Sequence, residues 1–142
     1  MTPQFTLGLG CDRGTSLATL HQALQQALQL AGAQVSQIRA VASIDLKADE
    51  PGLLALALEH GWAVRFFRPD ELATVAVPHP SEVVRKHTGT PSVSEAAALL
   101  VGGNLPMTAL VVEKLKHRGA DGHNATVSLA CCGHYPFLHP VP

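Results

Sequence analysis

The sequence predicts a layered α/β domain with a mixed sheet of about five strands. Short apolar segments alternate with segments of helical periodicity in the order βαβαβ, which is typical of a parallel sheet with helices on its faces. Two further strand-like segments close the chain and are joined by a short polar stretch with Asp121-Gly122, a hairpin signal. The last two strands are therefore expected to be antiparallel. The length of 142 residues suits one domain, and we treat 1–142 as a single unit.

The first half of the chain shows three predicted strands and two helices. Residues 5–9, 41–44 and 63–67 are short apolar runs, and the first leads into a loop over 10–15. Apolar residues at helical spacing begin at Leu17, after a possible cap at Thr15 or Ser16, and end at Gly32. A second helix over 53–60 follows Pro51 and is closed by Gly61.

The second half predicts shorter elements. Helical turns are expected at 69–72 and 81–87, the latter ended by Gly89. Ser92 and Glu95 have the spacing of a capping box directly before an apolar helix over 96–101. Strands are predicted at 110–115 and 125–130. Residues 131–142 contain three prolines and are expected to form a loose tail, dispensable from residue 133 onward.

The composition excludes several classes of protein. Hydrophobic residues make up 46% and charged residues 15%, which excludes a disordered chain or a coiled coil. The formal net charge of -1 provides no general attraction to nucleic acid or to a membrane surface, and no apolar run approaches the ~20 residues that span a bilayer. Three cysteines, two of them adjacent, indicate a reducing cytoplasm rather than a disulfide framework.

A glycine-rich segment, GLGCDRGT at residues 8–15, joins the first predicted strand to the first helix. Such a turn exposes backbone amides that attract anions, although it can equally be a tight turn that packs the helix on the strand. It matches neither a P-loop nor a dinucleotide fingerprint. Cys11 beside Arg13 at a helix N-terminus is a candidate for a lowered pKa, which is weak evidence for a nucleophile. The candidate ligand-binding residues here are Gly10, Cys11, Arg13, Gly14 and Thr15.

Two further loops carry polar candidates. Residues 42–52 leave the second strand, and Lys47 is expected near the sheet edge where α/β folds bind ligands; Glu50 is a binding candidate, but capping of the next helix is favoured for it. Residues 80–95 are dense in basic and hydroxyl side chains, which suits either an anion-recognition loop or a solvated turn. Its candidate ligand-binding residues are Arg85, Thr88, Gly89, Ser92 and Glu95.

Classical catalytic and metal-binding motifs are absent from the sequence. Cys131 and Cys132 with His134 and His139 could be drawn as a metal site, but adjacent cysteines chelate one tetrahedral ion poorly. Buried cysteines at a strand end are the favoured interpretation. We therefore expect no metal and no cofactor.

Taken together, the three loops resemble the cobalamin-biosynthesis CobE / CbiG C-terminal domain family. The resemblance runs from residue 7 to 130 and includes TGTPSVSE at 88–95, Ser43 within ASIDLKADE at 42–50, Lys114, and TVSLA at 126–130. It implies a three-layer α/β/α fold and a role in building the corrin ring of vitamin B12. Longer relatives with an N-terminal domain are cobalt-precorrin-5A hydrolases; this chain looks like the stand-alone form, whose catalytic status stays open.

The resemblance implies a precorrin or corrinoid ligand, and the residues suit one. Such a ligand carries many carboxylates around an apolar macrocycle, which needs cations around an apolar floor. Six basic residues supply that chemistry: Arg13, Lys47, Arg85, Lys86, Lys114 and Lys116. The main hypothesis is a cytoplasmic protein that binds this ligand and assists its processing or transfer, with other enzymes of the B12 pathway as possible partners. The alternative is a lactone hydrolase that uses Glu50, Glu95 or His87 as acid or base, with Lys47 or Arg13 stabilising the oxyanion.

Overall fold

The computed structural model describes residues 3–132 and contains one five-stranded sheet with the strand order β3-β2-β1-β5-β4. Strands β1, β2 and β3 are parallel, whereas β5 runs antiparallel to both β1 and β4. The strands are β1 (Phe5–Cys11), β2 (Ile38–Ile44), β3 (Val64–Phe67), β4 (Leu110–Arg118) and β5 (Asn124–Cys131). The helices are α1 (Leu17–Ala31), α2 (Pro51–His60), α3 (Pro69–Ala73), α4 (Glu82–Thr88) and α5 (Val93–Val101). The predicted mixed α/β sheet of five strands is confirmed.

The two faces of the central strand β1 carry different side chains, and this separates the two helical layers. Phe5, Leu7 and Leu9 belong to the core under α1 and α2. The alternate positions face α5: the Thr6 hydroxyl donates to Ala98 O at 2.6 Å, and Gly8 has no side chain to hold the helix away. Because successive strand residues point to opposite faces, one strand supports both cores.

Helix α5 lies unusually close to the sheet because both surfaces are made of small residues. A Cβ placed on Gly8 would stand 1.9 Å from the backbone oxygen of Ser94, far inside van der Waals contact. The helix is buried from Val93 to Leu99, and this stretch includes the small residues Ser94, Ala96, Ala97 and Ala98. The glycine at this strand position therefore serves packing.

Most helix ends follow the predicted signals, but the start of α5 does not. Ser16 caps α1 by accepting from Thr19 N, and glycines with positive φ end α1, α2 and α4. The capping box predicted at Ser92 is wrong: Ser92 occupies the N-cap position of α5, but its hydroxyl donates to the Glu95 carboxylate at 2.9 Å instead of accepting from the backbone. Burial of both side chains favours this direct pairing.

The closing hairpin is longer than predicted on both sides. Asp121 sits in its turn and accepts from Ser16 N at 2.9 Å and from the Thr19 hydroxyl at 2.9 Å, which pins the hairpin to the start of α1. Cys131, predicted to begin the tail, is instead the last residue of β5 and pairs with Phe5. Residues 133–142, and with them the rest of the predicted tail, lie outside the described residues. Within residues 3–132, no helix is long and apolar enough to cross a membrane.

Candidate functional site

A cavity of about 620 Å³ opens at the edge of the sheet where β1 and β2 end. Ligands of open α/β sheets bind outside the carboxyl ends of the parallel strands, and this cavity lies there. Antiparallel β5 brings its first residues to the same edge, because Thr126 pairs with Gly10. Helix α4 and the first residue of α5 form the facing wall. The volume is in the range of small-molecule sites.

The floor and one wall of the cavity are apolar. Ile44 comes from the end of β2, Val83 and Val84 from α4, and Val93 from the start of α5. Ser81, Thr88, Asn124 and Thr126 add hydroxyl and amide groups around this surface. An apolar floor with a few convergent polar groups is the usual construction of a site for an organic ligand.

Four cations line the same cavity: Arg13, Lys47, Lys114 and Lys116. The lysines come from the loop after β2 and from β4. Among residues 3–132, none of these three lysines has a carboxylate within ion-pairing distance. Their charges are thus available to an anionic ligand. Arg85 and Lys86, predicted with them, do not line the cavity, and the Arg85 guanidinium pairs with Glu82 at 3.5 Å.

Unlike the three lysines, Arg13 has ionic and hydrogen-bond partners, all in the loop between β2 and α2. Its guanidinium donates to Asp49 Oδ1 at 2.9 Å and to the Leu46 carbonyl at 2.7 Å, and lies 3.2 Å from Glu50 Oε1. The hydrogen bond and charge of Asp49 raise the pKa of Arg13, and those of Arg13 lower the pKa of Asp49. Arg13 therefore joins two loops of the site and its charge is largely compensated.

Glu50 does not cap α2 with its side chain, contrary to the favoured interpretation. It stands at the N-cap position, but its carboxylate turns to the neighbouring loop and accepts from Gly14 N at 3.0 Å. The side chain is buried. Gly14 itself has φ +84°, the left-handed region that favours glycine, and does not line the cavity. Glu50 and Gly14 thus fix the loop behind the cavity wall.

Cys11 lines the cavity as the last residue of β1, within the segment predicted to be a loop. Burial raises its pKa from 9.0 to about 11, and the nearby Lys47 charge only partly offsets this. The expected lowering of the Cys11 pKa is therefore wrong, because the desolvation of a thiolate outweighs the attraction of nearby cations. A thiol with a pKa of about 11 is neutral near pH 7, which argues against Cys11 as a nucleophile.

Glu95 is buried under the cavity without lining it. Its Oε1 accepts from Ser92 Oγ at 2.9 Å and from His79 N at 3.2 Å, while Oε2 has no hydrogen-bond partner within the described residues. Burial raises the pKa of this carboxyl, and the hydrogen bond from Ser92 opposes the rise. Glu95 therefore anchors the loop before α5, behind the site.

Of the remaining candidates, Ser43, Thr15 and Gly89 have structural roles, whereas Thr88 and Gly10 line the cavity. The Ser43 hydroxyl donates to Leu9 O at 2.7 Å and joins β2 to β1, and the Thr15 hydroxyl donates to Asp12 O at 2.6 Å within the turn. Gly89 ends α4 with φ +83°. Thr88 lines the cavity, as does Gly10, whose added Cβ would lie 2.5 Å from Thr126 Oγ1.

Several lining residues were not singled out from the sequence. Asp12, Asn124 and Thr126 meet here because β5 pairs with β1, and Asp12 Oδ2 accepts from Asn124 N at 2.7 Å. The apolar Ile44, Val83, Val84 and Val93 were missed because apolar positions carry no ligand signal in a sequence. The sequence predicted that the last two strands are antiparallel, but it did not predict that β5 lies beside β1.

The fold and cavity define a class of protein: a three-layer α/β domain with a basic, apolar-floored cleft at the edge of its sheet. Residues 5–130 match the family model described as "Cobalamin synthesis G C-terminus". The chain belongs to this family of cobalamin-synthesis domains, which confirms the resemblance inferred from the three loops.

Two curated relatives are each 36% identical to this chain. One is "Cobalt-precorrin-5A hydrolase" of Priestia megaterium, aligned over 124 residues, which are 87% of this chain and 31% of that protein. The other is "Protein CobE" of Sinorhizobium sp, aligned over 111 residues, which are 77% of this chain and 71% of that protein. The chain thus spans about a third of the hydrolase and most of CobE.

Solved structures agree with the family. A crystal structure of CobE, described as a protein from the cobalamin (vitamin B12) biosynthetic pathway, is 35% identical with a TM-score of 0.73 and covers 92% of both chains. The cobalamin biosynthesis protein chiG from Agrobacterium tumefaciens is 26% identical with a TM-score of 0.59, over 87% of this chain and 96% of that chain.

Proposed function

We propose that this protein binds a precorrin or related corrinoid in the basic cleft and assists its processing or transfer between enzymes of cobalamin synthesis. Membership of the cobalamin-synthesis family supports the pathway. The proposal places the protein in the cytoplasm, where its free Cys11, Cys131 and Cys132 stay reduced. Other enzymes of the pathway are then the partners that supply and receive the ligand.

One observation supports the ligand class: three lysines that have no ionic partner among residues 3–132 share a cavity with an apolar floor. A corrin precursor presents peripheral carboxylates around a flat apolar ring. Lys47, Lys114 and Lys116 suit the carboxylates, and Val84 and Val93 suit the ring. Because the whole chain has a formal net charge of only -1, an anionic ligand depends on this local concentration of cations.

A spectral titration with a panel of corrinoids tests the proposal. Corrinoids absorb in the visible range, so binding is read from the ligand itself. Lys47→Ala should weaken binding about 10-fold or more, the loss expected for a hydrogen bond to a charged group. Lys86→Ala is the matched control, since Lys86 is exposed and does not line the cavity. Equal affinity of wild type, Lys47→Ala and Lys86→Ala for every corrinoid would refute the cleft as the binding site.

A second candidate is hydrolysis of a precorrin lactone by this domain alone. It is favoured by the 36% identity to a cobalt-precorrin-5A hydrolase and by His87, which lines the cavity with Lys47. In that mechanism His87 acts as general base toward water, and Lys47 stabilises the oxyanion on the lactone carbonyl. Glu50 and Glu95, the other acid or base candidates, do not line the cavity.

Incubation of the purified protein with a cobalt-precorrin lactone separates the two functions. A hydrolase would consume the lactone over many turnovers and lose this activity in His87→Gln. A binding protein would shift the ligand spectrum stoichiometrically without opening the ring. The His117→Gln variant is the control, because His117 lies on β4 outside the cavity lining and contacts Gln22 and Gln26.

A further inference from the structure

A cluster of metal-ligating side chains lies away from the cleft, where α1 meets the end of α2. His21 of α1 and Glu59 and His60 of α2 bring two imidazoles and one carboxylate together. Their ligand atoms all lie within 4.8 Å of one another. None of the three lines the cavity, so the cleft does not explain their arrangement.

The distances within the cluster approach those of a coordination sphere. Glu59 Oε1 lies 3.6 Å from His21 Nε2 and 3.8 Å from His60 Nε2. These separations are too long for hydrogen bonds. Two atoms each bound to one zinc ion at a tetrahedral angle lie roughly 3.3–3.4 Å apart. Small side-chain rotations would therefore bring all three atoms onto one ion.

The surroundings of His60 orient its ring and leave its Nε2 atom available to bind an ion. The ring of His60 stacks on Trp62 at 4.5 Å and lies nearly parallel to the ring of His21, with an interplanar angle of 5°. Its Nε2 atom is buried without a hydrogen-bond partner among the described residues. An unpaired buried nitrogen is unfavourable, and coordination to a cation satisfies it.

We propose that His21, Glu59 and His60 bind one divalent transition-metal ion of the zinc type and thereby join α1 to α2. Two imidazoles and a carboxylate select Zn²⁺, Cu²⁺, Ni²⁺ or Co²⁺ over the oxygen-seeking Mg²⁺ and Ca²⁺. The side chains of His21 and Glu59 are 39% and 46% exposed, so an ion reaches the site from solvent and water completes its coordination. The proposal is independent of the corrinoid cleft and differs from the expectation of no metal.

Trp62 provides a local reporter, because it is the only tryptophan in the chain. Cu²⁺ is paramagnetic and quenches the fluorescence of an indole a few ångströms away. Titration of the full-length protein with Cu²⁺ should quench Trp62, and Zn²⁺ should compete. His21→Gln and Glu59→Gln should each weaken the quenching titration at least about 10-fold, as even outer-shell changes at metal sites cost 10–100-fold.

Two controls separate this site from other histidines. His117→Gln removes a histidine outside the cluster, and the double variant His134→Gln, His139→Gln removes two from the C-terminal residues; both should titrate like wild type. Quenching that is unchanged in His21→Gln and Glu59→Gln, or that is lost equally in His117→Gln, would overturn the proposal.

A measurement on the wild-type protein keeps the test decisive if the variants do not fold. Stoichiometric Co²⁺ should give the visible absorption of a site with nitrogen and oxygen ligands, and Zn²⁺ should displace it and raise the melting temperature, because an ion that binds only the folded state stabilises it. A spectrum of hexa-aquo Co²⁺ alone, with no change in melting temperature, would refute the site.

Discussion

The Oε2 atom of Glu50 accepts a hydrogen bond from the backbone N–H of Gly14 at 3.0 Å, which links the loop after β1 to the start of α2. Both loops border the cleft: Arg13 and Lys47, on either side of this contact, line it. The position of two cleft cations thus depends on one buried carboxylate that does not line the cleft.

Replacement of Glu50 should therefore destabilise the protein. Glu50→Ala leaves the Gly14 N–H without its acceptor, and we expect the free energy of unfolding to fall by about 1–3 kcal/mol. Glu50→Gln keeps an acceptor oxygen and should lose less. Urea denaturation measures both, with Glu82→Ala as a control, because the Glu82 side chain is 81% exposed and such substitutions usually stay within about 0.5 kcal/mol. A Glu50→Ala variant as stable as Glu82→Ala would contradict this role.

Gly8→Ala should destabilise the protein more than Gly14→Ala. A Cβ on Gly8 meets the α5 backbone at 1.9 Å, so α5 must move off the sheet, and overpacking of this kind costs about 1–3 kcal/mol or more. At Gly14 the nearest atom to an added Cβ is 3.7 Å away, and only the left-handed backbone opposes alanine, at roughly 1–2 kcal/mol. Thermal and urea unfolding compare the two. A reversed order would mean that α5 adjusts its position freely.

Corrinoid binding should weaken with salt, and Lys47 should matter more than Arg13. Ion pairs at the exposed cleft mouth are screened as NaCl rises from about 0.05 to 0.5 M. Arg13 already pairs with Asp49 and Glu50, so its removal takes away little free charge, whereas Lys47 has no carboxylate partner in the described chain. Titrations at several salt concentrations should show a flatter salt dependence for Lys47→Ala than for Arg13→Ala. Identical slopes in both variants would contradict the assignment of Lys47 as the free cation.

Glu95 should make stability fall as the pH rises. Burial raises its pKa in the folded protein, so the folded state holds the proton more tightly than the unfolded chain. The stabilising contribution is complete below the ordinary glutamate pKa of about 4.3 and is lost as the pH rises through the raised value. The stability of Glu95→Gln relative to wild type should therefore increase over that interval. Urea unfolding at a series of pH values measures it, and a constant difference would contradict the prediction.

Cys11 should resist alkylation because its pKa is raised to about 11. Relative to a thiol of pKa 9.0, this lowers the thiolate fraction at pH 8 about 100-fold, and thiolate is the reactive species. Peptide mapping after limited iodoacetamide treatment should find Cys11 unmodified while a small-molecule thiol in the same solution is consumed. Rapid alkylation of Cys11 near pH 7 would restore it as a candidate nucleophile.

The sequence by itself determined the elements of this fold and the family to which the chain belongs. Short apolar runs located five strands, and helical spacing with proline and capping signals located five helical segments. Glycines at 32, 61 and 89 marked three helix ends. These signals are local, since backbone conformation and burial pattern depend on near neighbours in the chain. The loop motifs were distinctive enough to identify the family before any geometry was known.

Only the tertiary structure decided which side chains line the cleft. Four of six predicted cations line the cleft, while Arg85 pairs with Glu82 on the outer side of α4, and Glu50 and Glu95 turn to backbone partners behind the walls. Asn124 and Thr126 enter the site because β5 lies beside β1, and His21 meets His60 because α1 and α2 pack on the same face of the sheet. The Glu50–Gly14 and Asp12–Asn124 contacts, for example, join residues 36 and 112 positions apart, and no local pattern encodes them. The raised pKa values of Cys11 and Glu95 also depend on the tertiary structure. Burial raises them and nearby charges and hydrogen bonds oppose the rise, and both effects exist only in the folded protein.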